Sequence, residues 1–391
     1  MRNAMRCSVV EPPNNIKDTD RVRATVTLLS QKYRLQKESL MIKNLLMGAI
    51  ASVFMVSSAM ADYTLIVPQA PGKGTSVWGE IIAKNLEKFI GEPVVVRHIP
   101  GARDIPGFNK FHNDLRFDDK TIMVAHGGNG VSYLLDKVDY NYYDYELIGS
   151  MNNDIVLGKQ EGKDEKKGTW TIAGGSGFEP DAAAAAMLLC GPQGDNTVAE
   201  YLACWRERVV WVNGVSGGEK RLGFKNGEFD IARESPAAWK RFYTGIEGNE
   251  LWFTHGILDL ENNVQMDDPN FPNTQFEDVY AKLWGEQPSG DLYEAYKLTR
   301  NWRDAIQKSL WMNKGNPNAA KVKAAVTAMI NDPVASAEIY AKTGVYPWIQ
   351  DGPSLLAALK SLITEKALKD AVTWNQEAYG FPSIYKPELL K

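Results

Sequence analysis

The chain has 391 residues, of which 44% are hydrophobic and 24% charged, and its formal net charge is −4. This is the composition of an ordinary globular protein, long enough for two hydrophobic cores rather than one. The acidic balance argues against a nucleic-acid partner, which would require a basic surface.

The first recognisable segment is a secretory leader. No charged residue occurs from 45 to 60, Lys43 stands just before this run, and Ala59-Met60-Ala61 closes it. A basic residue, an apolar run and an A-x-A site are typical of a signal peptide cleaved after Ala61. A bilayer needs roughly 20 apolar residues, so we interpret 41–61 as a signal peptide rather than an anchor. We expect Met41 to be the true start and residues 1–40 to be a non-functional extension.

Removal of residues 1–61 makes the rest of the chain more acidic. These residues hold nine Lys and Arg and four Asp and Glu, so the exported part has a net charge of about −9. We expect a periplasmic protein in which any anion site is made locally, by backbone amides and a few placed cations.

Two cysteines, Cys190 and Cys204, lie in the exported part. They are 14 residues apart, and in an oxidising compartment they could form one disulfide. The alternative is two buried thiols on neighbouring helical turns. Neither the spacing nor the neighbouring residues indicate a metal site.

The first half of the exported chain repeats a strand, a glycine-containing loop and a helix. Apolar β-rich runs occupy 63–68, 93–97 and 121–125, and each feeds a loop at its C-terminal end. This pattern predicts an α/β fold with mostly parallel sheets flanked by helices, whose loops gather at one edge where ligands bind. The loops span 69–76, 98–103 and 126–130, and the helices 77–90 and 105–114.

After a charged, turn-rich stretch at 159–167, the pattern starts again. Strands are predicted at 169–173 and 209–213, and residues 308–312 are the best candidate for a strand that returns to the first sheet. We therefore predict a discontinuous lobe 1 (62–166 and 306–391), an inserted lobe 2 (167–305) with a polar insertion around 262–295, and a hinge of two crossings. A cleft between two such lobes is a natural ligand site that closes on capture.

Four strand-end loops are rich in glycine, two in each predicted lobe. Residues 72–76 lead directly into a helix, whose unpaired N–H groups and positive dipole end attract an anion. The spacing does not match a P-loop. Arg233 is a candidate local cation, with Lys73 or Arg103 as another, although Arg103 is more simply a solvated surface charge. The other three loops span 127–130, 174–177 and 216–218.

Several segments in a consistent order resemble the extracytoplasmic receptors of tripartite tricarboxylate transporters. The resemblance implies a two-lobed periplasmic-binding-protein (Venus flytrap) fold that holds a carboxylate through backbone amides and ordered water and then docks onto a membrane permease. It lies in residues 67–76, 92–102, 169–177, 211–214, 224–230 and 331–333, and in Gly344.

The same resemblance implies which residues bind the ligand. The family usually has Asp where this chain has Ser76, and a Gly-rich stretch where it has residues 102–104. The loss of a carboxylate and the gain of Arg103 would favour a more anionic ligand, or simply a different one. The residues aligned with the ligand loops are Gly74, Thr75, Ser76, Gly128, Asn129, Ser176, Gly177, Glu234 and Ser235.

An enzyme needs a nucleophile, base or metal set, and the sequence offers little of this kind. No His-x-x-x-His pair occurs, and Ser176 does not fit a G-x-S-x-G elbow. His126 lies in a predicted cleft loop, where we interpret it as a ligand contact or loop hydrogen bond. We expect a monomeric, non-enzymatic carboxylate receptor without a cofactor. The alternatives are an exported hydrolase and, because the chain has 11 Trp, a receptor for a sugar or aromatic ligand.

Processing of the leader is directly testable. We predict that the exported protein begins at Asp62, because signal peptidase cleaves after the A-x-A site. N-terminal sequencing of the exported protein checks this cleavage. Sequencing of the uncleaved precursor should find Met41 first, and residues 1–40 in that precursor would contradict the predicted start.

Overall fold

A computed structural model gives the coordinates of the chain. It describes residues 62–150, 154–174, 179–215, 217–259, 264–344 and 351–391. The predicted extension 1–40 and signal peptide 41–61 lie outside the described residues. Among the described helices, none combines the length and apolar character needed to cross a membrane.

The first sheet has five strands in the order β2-β1-β3-β12-β4. β1 pairs in parallel with β2 and β3, whereas β12 lies antiparallel between β3 and β4. β12 contains most of the predicted returning strand, so the prediction that the chain comes back to the first sheet near residue 308 agrees with the structure. The bounds are β1 (Tyr63–Val67), β2 (Val94–His98), β3 (Thr121–Ala125), β4 (Tyr145–Ser150) and β12 (Ser309–Asn313).

Side chains that alternate along β1 place a core on each face of this sheet. Leu65 and Val67 belong to one buried cluster and Ile66 to another, as the two-residue period of a strand requires. A Cβ on Gly79 would lie 2.7 Å from Val67, so glycine at this position lets the first helix approach the strand closely. With a core on each face, the central strand β3 is buried along its whole length, whereas β2 at the edge of the sheet alternates buried and more exposed residues.

The remaining strands form three smaller sheets. One is antiparallel, in the order β8-β5-β9; β6 and β7 pair in parallel, and β10 and β11 form an antiparallel pair. The sheets are thus mixed, not mostly parallel as predicted, because β5 and β12 each run antiparallel to both of their neighbours. The bounds are β5 (Val156–Gln160), β6 (Trp170–Ala173), β7 (Val209–Val212), β8 (Ile231–Glu234), β9 (Asn249–Thr254), β10 (Ile257–Asp259) and β11 (Val264–Met266).

The pairing of β5 bears on the predicted crossing near residue 167. β5 already pairs with β8 and β9, so the chain leaves the first sheet between Ser150 and Val156. The charged stretch 159–167 was the basis for placing the crossing there. However, Lys159 is nearly buried and forms ion pairs with Glu165 and Glu250 at 3.0 and 2.7 Å. The charged residues of this stretch therefore stabilise the β8-β5-β9 sheet and do not mark a domain boundary.

Thirteen helices are described. The fourth is buried along 182–189, which explains its run of alanines and leucines without a polar face. The last contributes Trp374 and Tyr379 to the core of the second group of sheets, although we assigned 306–391 to lobe 1. The bounds are α1 (Gly74–Ile90), α2 (Ile105–Lys110), α3 (Gly127–Leu135), α4 (Glu179–Cys190), α5 (Val198–Arg208), α6 (Gly217–Lys225), α7 (Pro236–Phe242), α8 (Phe276–Trp284), α9 (Asp291–Asp304), α10 (Ala319–Asn331), α11 (Pro333–Thr343), α12 (Gly352–Ser361) and α13 (Glu365–Tyr379).

A disulfide joins the end of α4 to α5. It links Cys190 to Cys204, whose Cα atoms are 6.1 Å apart, and the two helices pack against each other. The bond therefore fixes two helices of the second core relative to each other.

Removal of this disulfide should destabilise the protein. We predict that the double variant Cys190→Ser, Cys204→Ser lowers the free energy of unfolding by about 3 kcal/mol, because a loop of this length no longer restricts the unfolded chain. Urea denaturation followed by circular dichroism measures the change. The wild-type protein in reducing agent is the matched control, and equal stability of the oxidised and reduced forms would contradict the prediction.

Candidate functional site

A cleft of about 700 Å³ is lined by the ends of both groups of sheets. One wall comes from the loop before α1, the residue before α3, the residues before β12 and the end of α11. The facing wall comes from the start of α6, the end of β8 and α7. Its lining includes Gln69, Gly74, Thr75, His126, Gln307, Lys308, Lys342, Lys220, Arg221, Arg233, Glu234, Ser235 and Arg241.

The charge of this lining is one-sided. Seven Lys and Arg side chains line the cleft but only one carboxylate, that of Glu234, although the whole chain carries a net negative charge. Such a concentration of one sign in a recess focuses the field and attracts an anion. The cations are Lys73, Lys220, Arg221, Arg233, Arg241, Lys308 and Lys342.

The loop into α1 is held by its own side chains. Gln69 Oε1 accepts a hydrogen bond from the Thr75 amide at 3.2 Å. The Ser76 hydroxyl accepts one from the Gly72 amide at 3.2 Å and donates to Glu80 Oε1 at 2.7 Å. The N-terminus of a 17-residue helix is thereby fixed at the edge of the cleft, with its positive dipole end beside the recess.

Lys308 lies at the junction of this loop and β12. Its Nζ donates a hydrogen bond to Thr75 Oγ1 at 2.7 Å. Burial lowers the pKa of Lys308 to about 7; Asp104 acts in the opposite sense, and Arg303 lowers the pKa further. The amine at the start of α1 is therefore only partly protonated at neutral pH.

His126 lines the same wall of the cleft and contacts Asp104. Its Nδ1 lies 2.9 Å from Asp104 Oδ2, which also accepts a hydrogen bond from Gln69 Nε2 at 2.9 Å. Burial lowers the pKa of His126, and the Asp104 contact offsets this only in part. The imidazole therefore adds no charge to the cleft at neutral pH.

The facing wall carries cations that are paired or partly buried. Arg221 holds both carboxylate oxygens of Glu234 at 2.5 and 2.7 Å. Arg233 Nε lies 2.7 Å from Asp181 Oδ2. Burial lowers the pKa of Lys220, and Asp181 and Glu234 partly offset that effect. This wall is thus rigid where its arginines are paired.

Behind Arg233 lies a fully buried ion cluster. His255 Nε2 is 3.1 Å from Asp181 Oδ1, and His255 Nδ1 is 2.8 Å from Asp304 Oδ2. Burial alone lowers the pKa of His255, but the carboxylates of Asp304 and Asp181 outweigh it and raise the pKa to about 10. Burial also raises the pKa of nearby Asp154 to about 8. The imidazolium joins α4 to α9 and holds the carboxylate that orients Arg233.

The structure brings only some of the predicted site residues together. Gly74, Thr75, Arg233, Glu234 and Ser235 line the cleft. Ser176 and Gly177 lie outside the described residues.

Three other predicted residues serve the loops instead. The Ser76 hydroxyl is used within its own turn. Asn129 Oδ1 accepts from the His126 amide at 3.0 Å, and the Gly128 amide faces the His126 ring at 3.2 Å. None of the three lines the cleft, because their polar groups cap the starts of α1 and α3.

Arg103, the other candidate cation, points away from the cleft. Its Nε lies 2.8 Å from Asp136 Oδ2, and its guanidinium lies over the Phe381 ring at 5.2 Å. Arg103 and Asp104 have φ of 55° and 61°, a left-handed conformation that favours glycine. This explains why a Gly-rich stretch suits the position, and the arginine adds no charge to the site.

Sequence reasoning missed most of the cleft cations. Lys308 was included only as the first residue of a strand, and Lys220 and Arg221 were not among the candidate residues. The sequence offered one signal for these cations, which is their position relative to strands and loops. Lys308 directly precedes a strand that returns to the sheet, and α6 follows a glycine-rich loop. A charged residue near the start of a helix after a glycine-rich loop lies at the loop edge of an α/β sheet, whereas Lys308 reaches that edge only because β12 runs antiparallel to β3 and β4.

Solved structures of similar fold are periplasmic binding proteins. A TctC solute-binding protein from Polaromonas is 14% identical, with 81% of this chain and 97% of that chain covered and a TM-score of 0.51. The R. palustris protein Rpa4515 with adipate is 12% identical, with 79% and 97% covered and a TM-score of 0.52. The periplasmic binding protein BugD is 16% identical, with 81% and 97% covered and a TM-score of 0.50.

These likenesses establish the fold of the chain as that of periplasmic solute-binding proteins of the TctC and BugD type. No family model matches the chain, and no curated protein is similar to it in sequence. The described residues include no group of three or more His, Cys, Asp or Glu side chains arranged to hold a metal ion.

The buried cluster predicts a decline of stability at alkaline pH. His255 has a pKa of about 10 when folded, above its ordinary 6.5, so its stabilising effect is complete below pH 6.5 and disappears as the pH rises through about 10. Asp154 favours its protonated form when folded, so its effect disappears as the pH rises through about 8. The free energy of unfolding should fall from pH 7 to 10, by at most about 1.4 kcal/mol per pH unit for each group.

Urea denaturation at pH 7, 8, 9 and 10 measures this decline. Asp154→Asn keeps an acceptor for the Ile155 amide and removes a titrating group, so its stability should fall less steeply. The exposed Asp114→Asn is the matched control and should follow the wild-type profile. A wild-type stability that rises with pH would contradict the prediction.

Proposed function

We propose that the protein is a periplasmic solute-binding receptor that captures a small organic carboxylate in the cleft and catalyses nothing. The observation that carries this proposal is the cleft itself, in which seven cations and one carboxylate face the same recess. The predicted lobes would form its two walls, with the first crossing moved to the segment between β4 and β5. Closure of these walls would remove the anion from water.

The positive charge favours a ligand with more than one negative charge. Part of the cationic charge is already used, because Arg221 binds Glu234 and Arg233 binds Asp181. Lys73, Lys308 and Lys342 on the first wall and Lys220 and Arg241 on the second lie on opposite sides of the recess. A di- or tricarboxylate could reach both walls, and adipate, present in the R. palustris structure, is a dicarboxylate of this kind.

The rest of the uptake system is proposed by analogy of fold. We infer delivery of the ligand to membrane permease subunits of a tripartite tricarboxylate-type transporter. The receptor would act as a monomer in the periplasm after cleavage at Ala61, without a cofactor and without nucleic acid.

A hydrolase remains the second candidate, because two contacts in the cleft resemble catalytic pairs. The Thr75 hydroxyl contacts an amine with a pKa of about 7, and His126 contacts Asp104. A hydroxyl beside a neutral lysine is one form of activated nucleophile. Hydrolysis of p-nitrophenyl esters that Thr75→Ala abolishes would favour this candidate over a receptor.

A sugar or aromatic receptor has less support. Trp78 contributes to the lining but is 2% exposed, and Trp239 is buried against Tyr243 with ring centroids 4.9 Å apart. Trp348 lies outside the described residues. Phe242 also lines the cleft, but it is partly buried, and the guanidinium groups of Arg221 and Arg241 lie over its ring at 4.3 and 5.1 Å. These aromatic side chains therefore offer little open ring face.

Ligand screening tests the function. We predict that a di- or tricarboxylate raises the melting temperature of the purified protein, because a ligand that binds only the folded state stabilises it by mass action. Thermal-shift assays with adipate, citrate, aromatic acids, amino acids and sugars measure this. A shift with sugars alone, or turnover of a substrate, would overturn the carboxylate proposal.

One helix provides a matched pair of variants for the same assay. Lys220 lines the cleft, whereas Lys225 at the other end of α6 is exposed and does not contribute to the lining. Lys220→Gln should weaken carboxylate binding by about tenfold or more, the loss expected for one charge-assisted hydrogen bond. Lys225→Gln should bind as the wild type does, and an equal loss in both variants would mean that only net charge matters.

A further inference from the structure

One cation of the cleft differs from the others in its surroundings. Lys308 forms no ion pair with any described carboxylate, and its Nζ is held by the Thr75 hydroxyl at the first turn of α1. A Cβ on Gly74 would lie 4.0 Å from this Nζ, so the amine lies beside the helix N-terminus with no side chain between them. The amine therefore lies at the positive end of the α1 dipole, and Asp104 acts on it only from beyond ion-pair distance.

We propose that Lys308 is the residue that senses the charge of the ligand, and that it takes up a proton when an anionic group enters the cleft beside Gly74 and Thr75. This inference rests on the proposed function and adds to it a proton-linked contact. The hydroxyl of Thr75 can accept from a neutral amine as well as from an ammonium, so Lys308 stays in place in both states.

The charges around Lys308 explain why an anion would change its protonation. Burial and the charge of Arg303 disfavour a charged amine, and Asp104 favours it. The positive end of the α1 dipole acts in the same sense as Arg303. Asp104 is already shared with the neutral His126 and with Gln69. Burial lowers the pKa of Lys308 to about 7, and a bound carboxylate within a few ångströms would raise that pKa.

The facing groups include a second titrating amine. Lys220 lines the opposite wall, and burial lowers its pKa as well, while Arg233 there remains charged beside Asp181. Because Lys308 is only partly protonated at neutral pH, an empty cleft carries less positive charge than its residues suggest, and the charge of Lys308 would develop fully only around the ligand. A neutral solute would not stabilise the protonated form of Lys308. This arrangement would therefore favour an anion over a neutral solute.

Titration of the ligand-free protein is the first test. Trace acetylation with acetic anhydride across pH 5 to 11, followed by mass spectrometry of the Lys308 peptide, reports the fraction of neutral amine. We expect half-maximal reactivity near pH 7, whereas exposed lysines reach it near pH 10, about their ordinary pKa. Ordinary titration of Lys308 would overturn the inference, whatever the ligand is.

Calorimetry is the second test, with adipate and citrate as probes. At pH 8, in two buffers of different ionisation enthalpy, binding should take up close to one proton, and affinity should fall roughly tenfold or more from pH 7 to pH 9. In Lys308→Arg, whose charge does not titrate, we expect retained binding with much less proton uptake and a flatter pH profile. Lys308→Met should bind weakly at every pH.

The outcomes separate this inference from the proposed function. Binding with proton uptake that is unchanged in Lys308→Arg would overturn the role of Lys308 and leave the receptor proposal intact. If neither these probes nor any other anion binds the wild-type protein at any pH, the proposed function falls and the inference falls with it.

Discussion

A buried ion cluster is the constraint on which the cleft depends. His255 lies between Asp181 and Asp304 with no exposure to solvent, and Asp181 in turn holds Arg233. Removal of one partner from such a cluster leaves an uncompensated buried charge, which costs several kcal/mol. The cluster therefore fixes α4, α9 and the strand that carries Arg233 as one unit, and the second wall of the cleft has a defined position as a result.

The first wall is organised differently, through hydrogen bonds of loops rather than buried ions. Gln69 and Ser76 use their side chains to fix the start of α1, where the Thr75 amide donates to Gln69, while His126 and Asp104 brace the turn beside it. One wall thus presents two arginines that are paired with carboxylates, together with Lys220, and the other presents Lys308, which is held by a hydroxyl. An anion held between them would meet the fixed charges of Arg221 and Arg233 and the adjustable charge of Lys308.

The sequence predicted the secondary structure near the site better than the site itself. Apolar runs and glycine loops were enough for β1, β3 and the end of α1, since their patterns are local, although α1 begins at Gly74, within the predicted loop. The antiparallel course of β12 and the place of β5 depend on pairings between distant residues, which periodicity does not encode. Cleft residues such as Lys308 and Lys220 were missed because a lysine at an element end looks like an ordinary surface charge until the opposite wall is known. Arg103 was overvalued for the same reason: its partners Asp136 and Phe381 are remote in sequence.

The excess of cations over carboxylates in the cleft affects how the protein should be handled. Phosphate, sulfate and citrate are common buffer components with the charge that this recess attracts, and they are present at millimolar concentrations during purification. A preparation in such buffers would enter an assay with its cleft already occupied, so that a true ligand would show only a weak competitive effect. The protein therefore has to be dialysed extensively into a low-charge buffer before its cleft can be regarded as empty.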